Sequence, residues 1–200
     1  MRKLLALGAF WAISASAQSI FSIGVIGGAP FTDVVNATNQ NNPAFVSNST
    51  TFTVGPSFQV NLPLSLRIEV DALYRPYSFT ATGPPMFVGI AVPTTVSGSE
   101  WTFPVLAQYR FKTPVVKPFV EVGVSFDHLS NLSTAASDIT SGPGTLIHQT
   151  NAGVVLGGGV DVKIPFIRLS GEVRYTHQGS AYFQGISNLN QAEVLVGVHF

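Results

Sequence analysis

From about residue 19 to the end of the chain, apolar and polar side chains alternate with a period of two in eight separate stretches. That is the period of an extended strand with one apolar and one polar face, and no sustained 3.6-residue apolar period accompanies it. The stretches cover about 19–28, 50–60, 65–77, 99–111, 117–128, 148–162, 166–178 and 190–200. In the third, Leu66, Ile68, Val70, Ala72 and Tyr74 alternate with Arg67, Glu69, Asp71 and Arg75. In the fifth, Val120, Val122, Val124 and Phe126 alternate with Glu121, Gly123, Ser125 and Asp127. Across all eight, Arg67, Arg75, Arg110, Arg168 and Arg174 fall on the polar face, together with every acid except Asp33 and Asp138, which lie in connections. No Asp, Glu, Lys or Arg falls on an apolar face.

The connections alternate in length. Those around 61–64, 112–116 and 163–165 are a few residues long, while those at about 29–49, 78–98, 129–147 and 179–189 are long and polar. Short turns alternating with long loops predict an all-β, eight-stranded antiparallel up-and-down transmembrane β-barrel, with turns at one end and four loops at the other. Composition strengthens this reading. Only 10% of residues are charged, 46% are hydrophobic and 11% aromatic, with a mean hydropathy of +0.34. A soluble β-sandwich or lipocalin-like barrel is the competing reading, but it needs a polar exterior that such a composition hardly supplies. After the first residues no apolar run approaches the roughly 20 residues of a membrane-spanning helix.

The first residues read as a secretory signal peptide. Arg2 and Lys3 precede an apolar stretch from Leu4 to Ile13, and Ala15-Ser16-Ala17 gives a small-x-small cleavage pattern. A cleaved segment 1–17 and a barrel domain 18–200 are therefore expected, with an uncleaved N-terminal anchor as the alternative. Removing Arg2 and Lys3 from ten basic residues leaves eight against ten acids. That balance gives no reason to expect nucleic acid as a partner. The absence of Cys excludes disulfides and thiolate metal sites.

The polar face carries the candidate chemistry. An eight-stranded barrel is just wide enough to be filled by side chains. Arg67, Glu69, Asp71, Arg110, Glu121, Asp161, Arg168, Glu172, Arg174 and Glu193 are accordingly expected to pair inside it as an ion network, since an unpaired buried charge is costly. A narrow solute path is the alternative. Tyr74, Trp101, Phe126 and Tyr175 sit near loop-side strand ends, where an aromatic girdle would lie. Gly157-Gly158-Gly159 lacks the Lys-Ser/Thr and helix of a phosphate loop and reads as small residues easing packing. The four His show no metal-ligand spacing, and no metal or cofactor is expected. Pro56 and Pro104 fall mid-strand, where each removes a ladder donor, so local bulges are expected there.

The last residues, from Glu193 through Val194, Val196 and Val198 to Phe200, resemble the terminal strand of outer-membrane barrels, which ends in an aromatic residue with apolar residues at alternating positions upstream. With the eight-strand pattern, the whole mature chain resembles the outer-membrane β-barrel domain family (OmpA-barrel and OmpX-like). The resemblance implies localisation in a Gram-negative outer membrane. It also implies contact with outer-membrane lipid and lipopolysaccharide, insertion by the barrel-assembly machinery through the Val194–Phe200 segment, and a monomeric, non-enzymatic barrel whose loops meet an unknown extracellular ligand. The OmpA type carries a periplasmic cell-wall-binding domain after the barrel; for this chain a cell-wall tethering role is not expected. A second, shorter resemblance concerns His128-Leu129-Ser130-Asn131, which is similar to the His-x-Ser-Asn segment of PagL-type lipid A deacylases. The segment lies too far from the C-terminus for that family. His177 lies at about the family's distance from the end but is followed by Gln178 and Gly179, so the serine is missing there.

Overall fold

The period-two stretches form strands. The computed structural model describes residues 20–33, 45–48, 52–82, 93–130, 146–184 and 187–200. Eight barrel strands follow in chain order: β1 (Phe21–Pro30), β2 (Phe45–Asn48 and Thr53–Asn61), β3 (Leu66–Asp71 and Leu73–Thr82), β4 (Pro93–Arg110), β5 (Val116–Ser130), β6 (Thr150–Ile164), β7 (Ile167–Gln178) and β8 (Asn190–His199). Each is antiparallel to the next. β1 pairs with β8 as well as β2, with Phe200 donating to the Ile23 carbonyl at 2.9 Å. The sheet is thus a closed eight-stranded barrel without a free edge. The expected signal peptide, the Asn-rich stretch 36–42 and Asp138 lie outside the described residues.

Inside and outside follow the alternation. In β5, Val120, Val122, Val124 and Phe126 face outward at 43–54% exposure, whereas Glu121, Ser125 and Asp127 between them are buried. Every Arg, Lys, Asp and Glu in the described strands shares the inward parity. The interior is not wholly polar, however. Ile26, Leu73 and Leu195 form a fully buried apolar cluster, and Leu106, Phe119, Leu129 and Val155 are buried on the same inner face. These residues occupy positions that the charge pattern alone would leave to polar groups.

The bulges expected at Pro56 and Pro104 are absent. The β2–β3 ladder keeps one register from the Ser57–Asp71 pair to the Val54–Tyr74 pair, and β3–β4 keeps one from Leu66–Tyr109 to Thr82–Pro93. That register puts Pro56 opposite Ala72 and Pro104 opposite Asp71. Both missing donors therefore fall at one point of β3, where the ladder lapses at Ala72. There the Ala72 N–H still donates to the Pro56 carbonyl at 3.0 Å. Concentrating both losses at adjacent residues spares the face assignment on either side.

A second expectation also shifts. The segments 78–82 and 93–98, read as loop, continue the β3–β4 ladder, with Tyr77 opposite Gly98 and Thr80 opposite Thr95. Their Thr-rich sequence favours extended chain without needing an apolar face, so the hairpin rises beyond the apolar band. The connection between those strands contracts to residues 83–92.

Gly157 and Gly159 lie where neighbours come closest. A Cβ on Gly157 would sit 2.3 Å from Glu121 Oε1 and 2.8 Å from the Val173 carbonyl, and one on Gly159 would sit 2.3 Å from the Gly171 carbonyl. Gly159→Val is expected to destabilise the barrel by about 1–3 kcal/mol through overpacking, read as a lower urea midpoint for loss of the heat-modifiable folded band. An unchanged midpoint would mean that β6 and β7 do not approach as closely as this.

Candidate functional site

The lumen is filled by two nests of charged side chains separated by an apolar layer. In the first nest, nearer the turns, the Arg174 guanidinium lies 2.5 Å from Glu69 Oε1, 2.6 Å from Glu172 Oε1, 2.7 Å from Asp71 Oδ2 and 3.2 Å from Glu121 Oε1. The strands fix this geometry, because β3 carries Glu69 and Asp71, β5 Glu121 and β7 Glu172 and Arg174, all projecting inward. Gln108 supports it, donating to Glu121 at 2.7 Å and Glu69 at 3.0 Å. Below it, Arg67 pairs with Asp161 at 2.7 Å and its guanidinium carbon stands 5.2 Å from the Phe119 ring centre. Ligand atoms of Glu69, Glu121 and Glu172 lie within 4.8 Å of one another, close enough to share a cation. Arg174 contacts all three, taking the part a metal would play.

The second nest lies nearer the loops. Arg75 reaches Glu193 at 2.7 Å and Glu100 at 3.7 Å, and donates to Gln191 at 2.6 Å and Thr53 at 3.1 Å. Asp127 accepts from Gln178 at 2.7 Å and from Ser125 at 3.1 Å. Leu73 stands between Asp71 and Arg75 on the inner face of β3, and Leu195 follows Glu193 on β8. The Ile26–Leu73–Leu195 layer therefore separates the nests and leaves no continuous polar column on that side.

Above the second nest the connection between β7 and β8 folds into the barrel mouth. Tyr182 and Phe183 are each 1% exposed. Tyr182 donates its hydroxyl to Glu100 Oε1 at 2.9 Å, its carbonyl accepts from Ile147 at 2.7 Å, and Phe183 packs edge-on against Tyr77. Burial first, and then the Glu100 carboxylate, push the Tyr182 hydroxyl far above the usual phenol range, so it remains a donor. Its contribution to stability is full below the ordinary phenol pKa of about 10 and falls only as pH rises beyond that. Tyr182→Phe leaves Glu100 without this donor and is expected to cost about 1–3 kcal/mol, measured as a shift in urea midpoint. A shift within error would mean that the loop does not seat in the mouth.

A family profile described as outer membrane protein beta-barrel domain matches residues 16–179. The chain belongs to this family. As an outer-membrane barrel it is also similar in fold to solved structures. One is Neisserial surface protein A, with a TM-score of 0.54, 18% identity, and 90% of this chain and 95% of that one covered. Another is OprG from Pseudomonas aeruginosa, at 0.50 and 11%, covering 90% and 94%. The E. coli outer membrane protein W is at 0.50 and 13%, covering 90% and 96%. No curated protein matches by sequence.

In this outer-membrane barrel the ten residues expected in one network divide into three groups. Arg67 with Asp161, and Arg174 with Glu69, Asp71, Glu121 and Glu172, come together, and Glu193 joins the loop-side nest through Arg75. Arg110 and Arg168 form no ion pair among the described residues and lie at the turn-side mouth. Arg75, Glu100 and Asp127 were missing from that set, although the alternation places them on the same face. Nothing in the sequence marks Tyr182 or Phe183.

Outside, Tyr74 and Trp101 meet edge-on with ring centres 5.3 Å apart, and Phe103 stacks beside Trp101. Phe126 is exposed, and Tyr175 donates to Asn190 Oδ1 at 2.6 Å. Near the turns Phe21 stacks on Phe58, and Tyr109 meets Phe111 edge-on. Ten residues separate Trp101 from Phe111; at about 3.3 Å per residue and a tilt of about 40° they span about 25 Å, the height of an outer-membrane apolar band. Val194, Val196 and Val198 project outward from β8 beside β1, and Phe200 is 67% exposed. Ser130 Oγ lies 3.1 Å from Ser99 Oγ, and His177 Nδ1 lies 2.9 Å from Asn190 Oδ1. Those contacts give neither side chain the nucleophile–base geometry of a hydrolase.

Proposed function

We propose that this outer-membrane barrel is monomeric and non-enzymatic, with a closed lumen, and acts structurally or by presenting its loops to an extracellular ligand. The observation that carries this reading is the seating of Tyr182 and Phe183 over two ion nests that are themselves separated by Ile26, Leu73 and Leu195. Among the described residues such a lumen has no continuous polar column on the side of Ile26, Leu73 and Leu195. The connections between β1 and β2, β3 and β4, β5 and β6, and β7 and β8 share one end of the barrel, where barrels of this class place binding activity. The reading includes export by a signal peptide cleaved after Ala17, insertion by the barrel-assembly machinery through the Val194–Phe200 segment, and a surround of outer-membrane lipid with lipopolysaccharide. Planar-bilayer recording of the refolded chain 18–200 tests the closed lumen. Silent bilayers are expected; discrete conductance steps that change in Glu121→Gln would contradict it.

A further inference from the structure

The turn-side mouth holds an excess of positive charge among the described residues. Arg110, Lys117, Lys163 and Arg168 line a cavity of about 480 Å³ together with Ser22, Asn61, Asp161 and His199. The one acid among these residues, Asp161, pairs with Arg67 at 2.7 Å, stands opposite Lys117 in the ladder and attracts Arg110 and Arg168, so a single carboxylate stands against five cations. None of the four cations forms an ion pair among the described residues, and even a free carboxylate on Phe200 would offset only one of them. The register makes matters worse, because Lys163 on β6 stands directly opposite Arg168 on β7. Like charges so placed destabilise a strand pair. Arg110, Arg168 and Arg67 also repel one another across the same end of the barrel.

The donors have specific vacancies. The Nε atoms of Arg110 and Arg168 are shielded from solvent and have no hydrogen-bond partner, while one Nη of Arg168 donates to Gln59. A planar guanidinium with open donors suits a bidentate oxyanion, and lysine ammonium groups add unoriented charge beside it. Free backbone is not required, since the strands already pair throughout this end.

We propose that the turn-side mouth is an anion site that takes a phosphate group, held by Arg110 and Arg168 with Lys117 and Lys163 at its rim. The bound phosphate offsets the Lys163–Arg168 repulsion and completes the open guanidinium donors. Its size admits one or two phosphates. Two sources present the same chemistry: the headgroup of a phospholipid in the leaflet beside the turns, or a free phosphate compound in the adjoining solution. The inference uses the barrel of the proposed function but not its closed lumen, so a conducting channel would leave it standing.

The test uses the refolded chain 18–200 and two variants, Arg110→Gln and Lys163→Gln, each first checked for the heat-modifiable band. Lys163 is exposed at a strand end, so its variant retains the fold even if Arg110→Gln does not. Calorimetric titration with inorganic pyrophosphate in zwitterionic detergent probes the soluble source. Native mass spectrometry from phosphatidylcholine nanodiscs doped with phosphatidylglycerol probes the lipid source. Saturable binding of either probe, at least about tenfold weaker in both variants as loss of a charge-assisted contact implies, supports the site. Binding of pyrophosphate alone assigns a soluble ligand, and retention of phosphatidylglycerol alone assigns a lipid. Neither probe binding, or binding that the variants leave unchanged, overturns the proposal.

Discussion

Arg174→Met is expected to cost the barrel about 3–5 kcal/mol, the usual consequence of removing one partner from a buried ion cluster. Arg174 is 1% exposed and is the ion-pair partner of Glu69, Asp71, Glu121 and Glu172. Without it four carboxylates face one another in a space sealed by strands, with the Gln59 and Gln108 amides and the Ser57 hydroxyl as remaining donors. With a typical total of about 5–15 kcal/mol, that loss is a large share of the stability of the fold. Urea titration of the folded, heat-modifiable band in detergent measures it. Arg174→Lys is expected to recover only part, because one ammonium has three donors and no planar fork for four acceptors. Combining Arg174→Met with Glu172→Gln is expected to cost less than the sum of the two single substitutions, since it also lowers the stranded charge. A cost below about 1 kcal/mol for Arg174→Met would mean that the carboxylates are not gathered around it.

The second large effect lies on the opposite face of the wall. Val124 projects outward from mid-β5 at 43% exposure, with Val105 and Val154 opposite it on the neighbouring strands. In lipid, Val124→Arg places a cation near the middle of the apolar band and is expected to cost about 2–4 kcal/mol. The same substitution at an exposed site of a water-soluble protein stays within about 0.5 kcal/mol. The two solvents therefore give separable answers from one variant. The measurement is the difference in folding free energy between wild type and variant in phospholipid vesicles. A near-neutral result would show that the outward valines face water.

Both residues were legible from the sequence, because a closed barrel imposes one rule on every strand. The alternation that put Val124 with Val122 and Phe126, and Arg174 with Glu172, is the alternation of outside and inside. The register carried that rule past Pro56 and Pro104, since their lost donors coincide at Asp71 and Ala72 and no residue is inserted. Pairing within the lumen was less legible. Arg75, Glu100 and Glu193 come from β3, β4 and β8, and only the closed curvature of the wall brings their ends together. Arg110 and Arg168 carry the same charge and parity as Arg67 and Arg174, yet their positions at the turn-side ends of β4 and β7 leave them in the mouth. Tyr182 and Phe183 follow no period, and their burial depends on a loop doubling back over Glu100 and Tyr77. The segments 78–82 and 93–98 were missed as strand because they pair above the apolar band, where Ser78, Thr80, Thr95 and Ser97 replace the outward apolar residues.

The outward face of the barrel lies in lipid, with the Tyr74–Trp101–Phe103 cluster near the loop-side edge of the band. The chain has two tryptophans, Trp11 and Trp101, so a chain beginning at residue 18 keeps Trp101 alone as a reporter. The direct test is quenching of Trp101 fluorescence by lipids brominated at different acyl depths, in vesicles containing the refolded chain. Strong quenching is expected, greatest for bromines nearest the headgroup, with little quenching by aqueous acrylamide. Full quenching by acrylamide and none by any brominated lipid would contradict the placement in lipid.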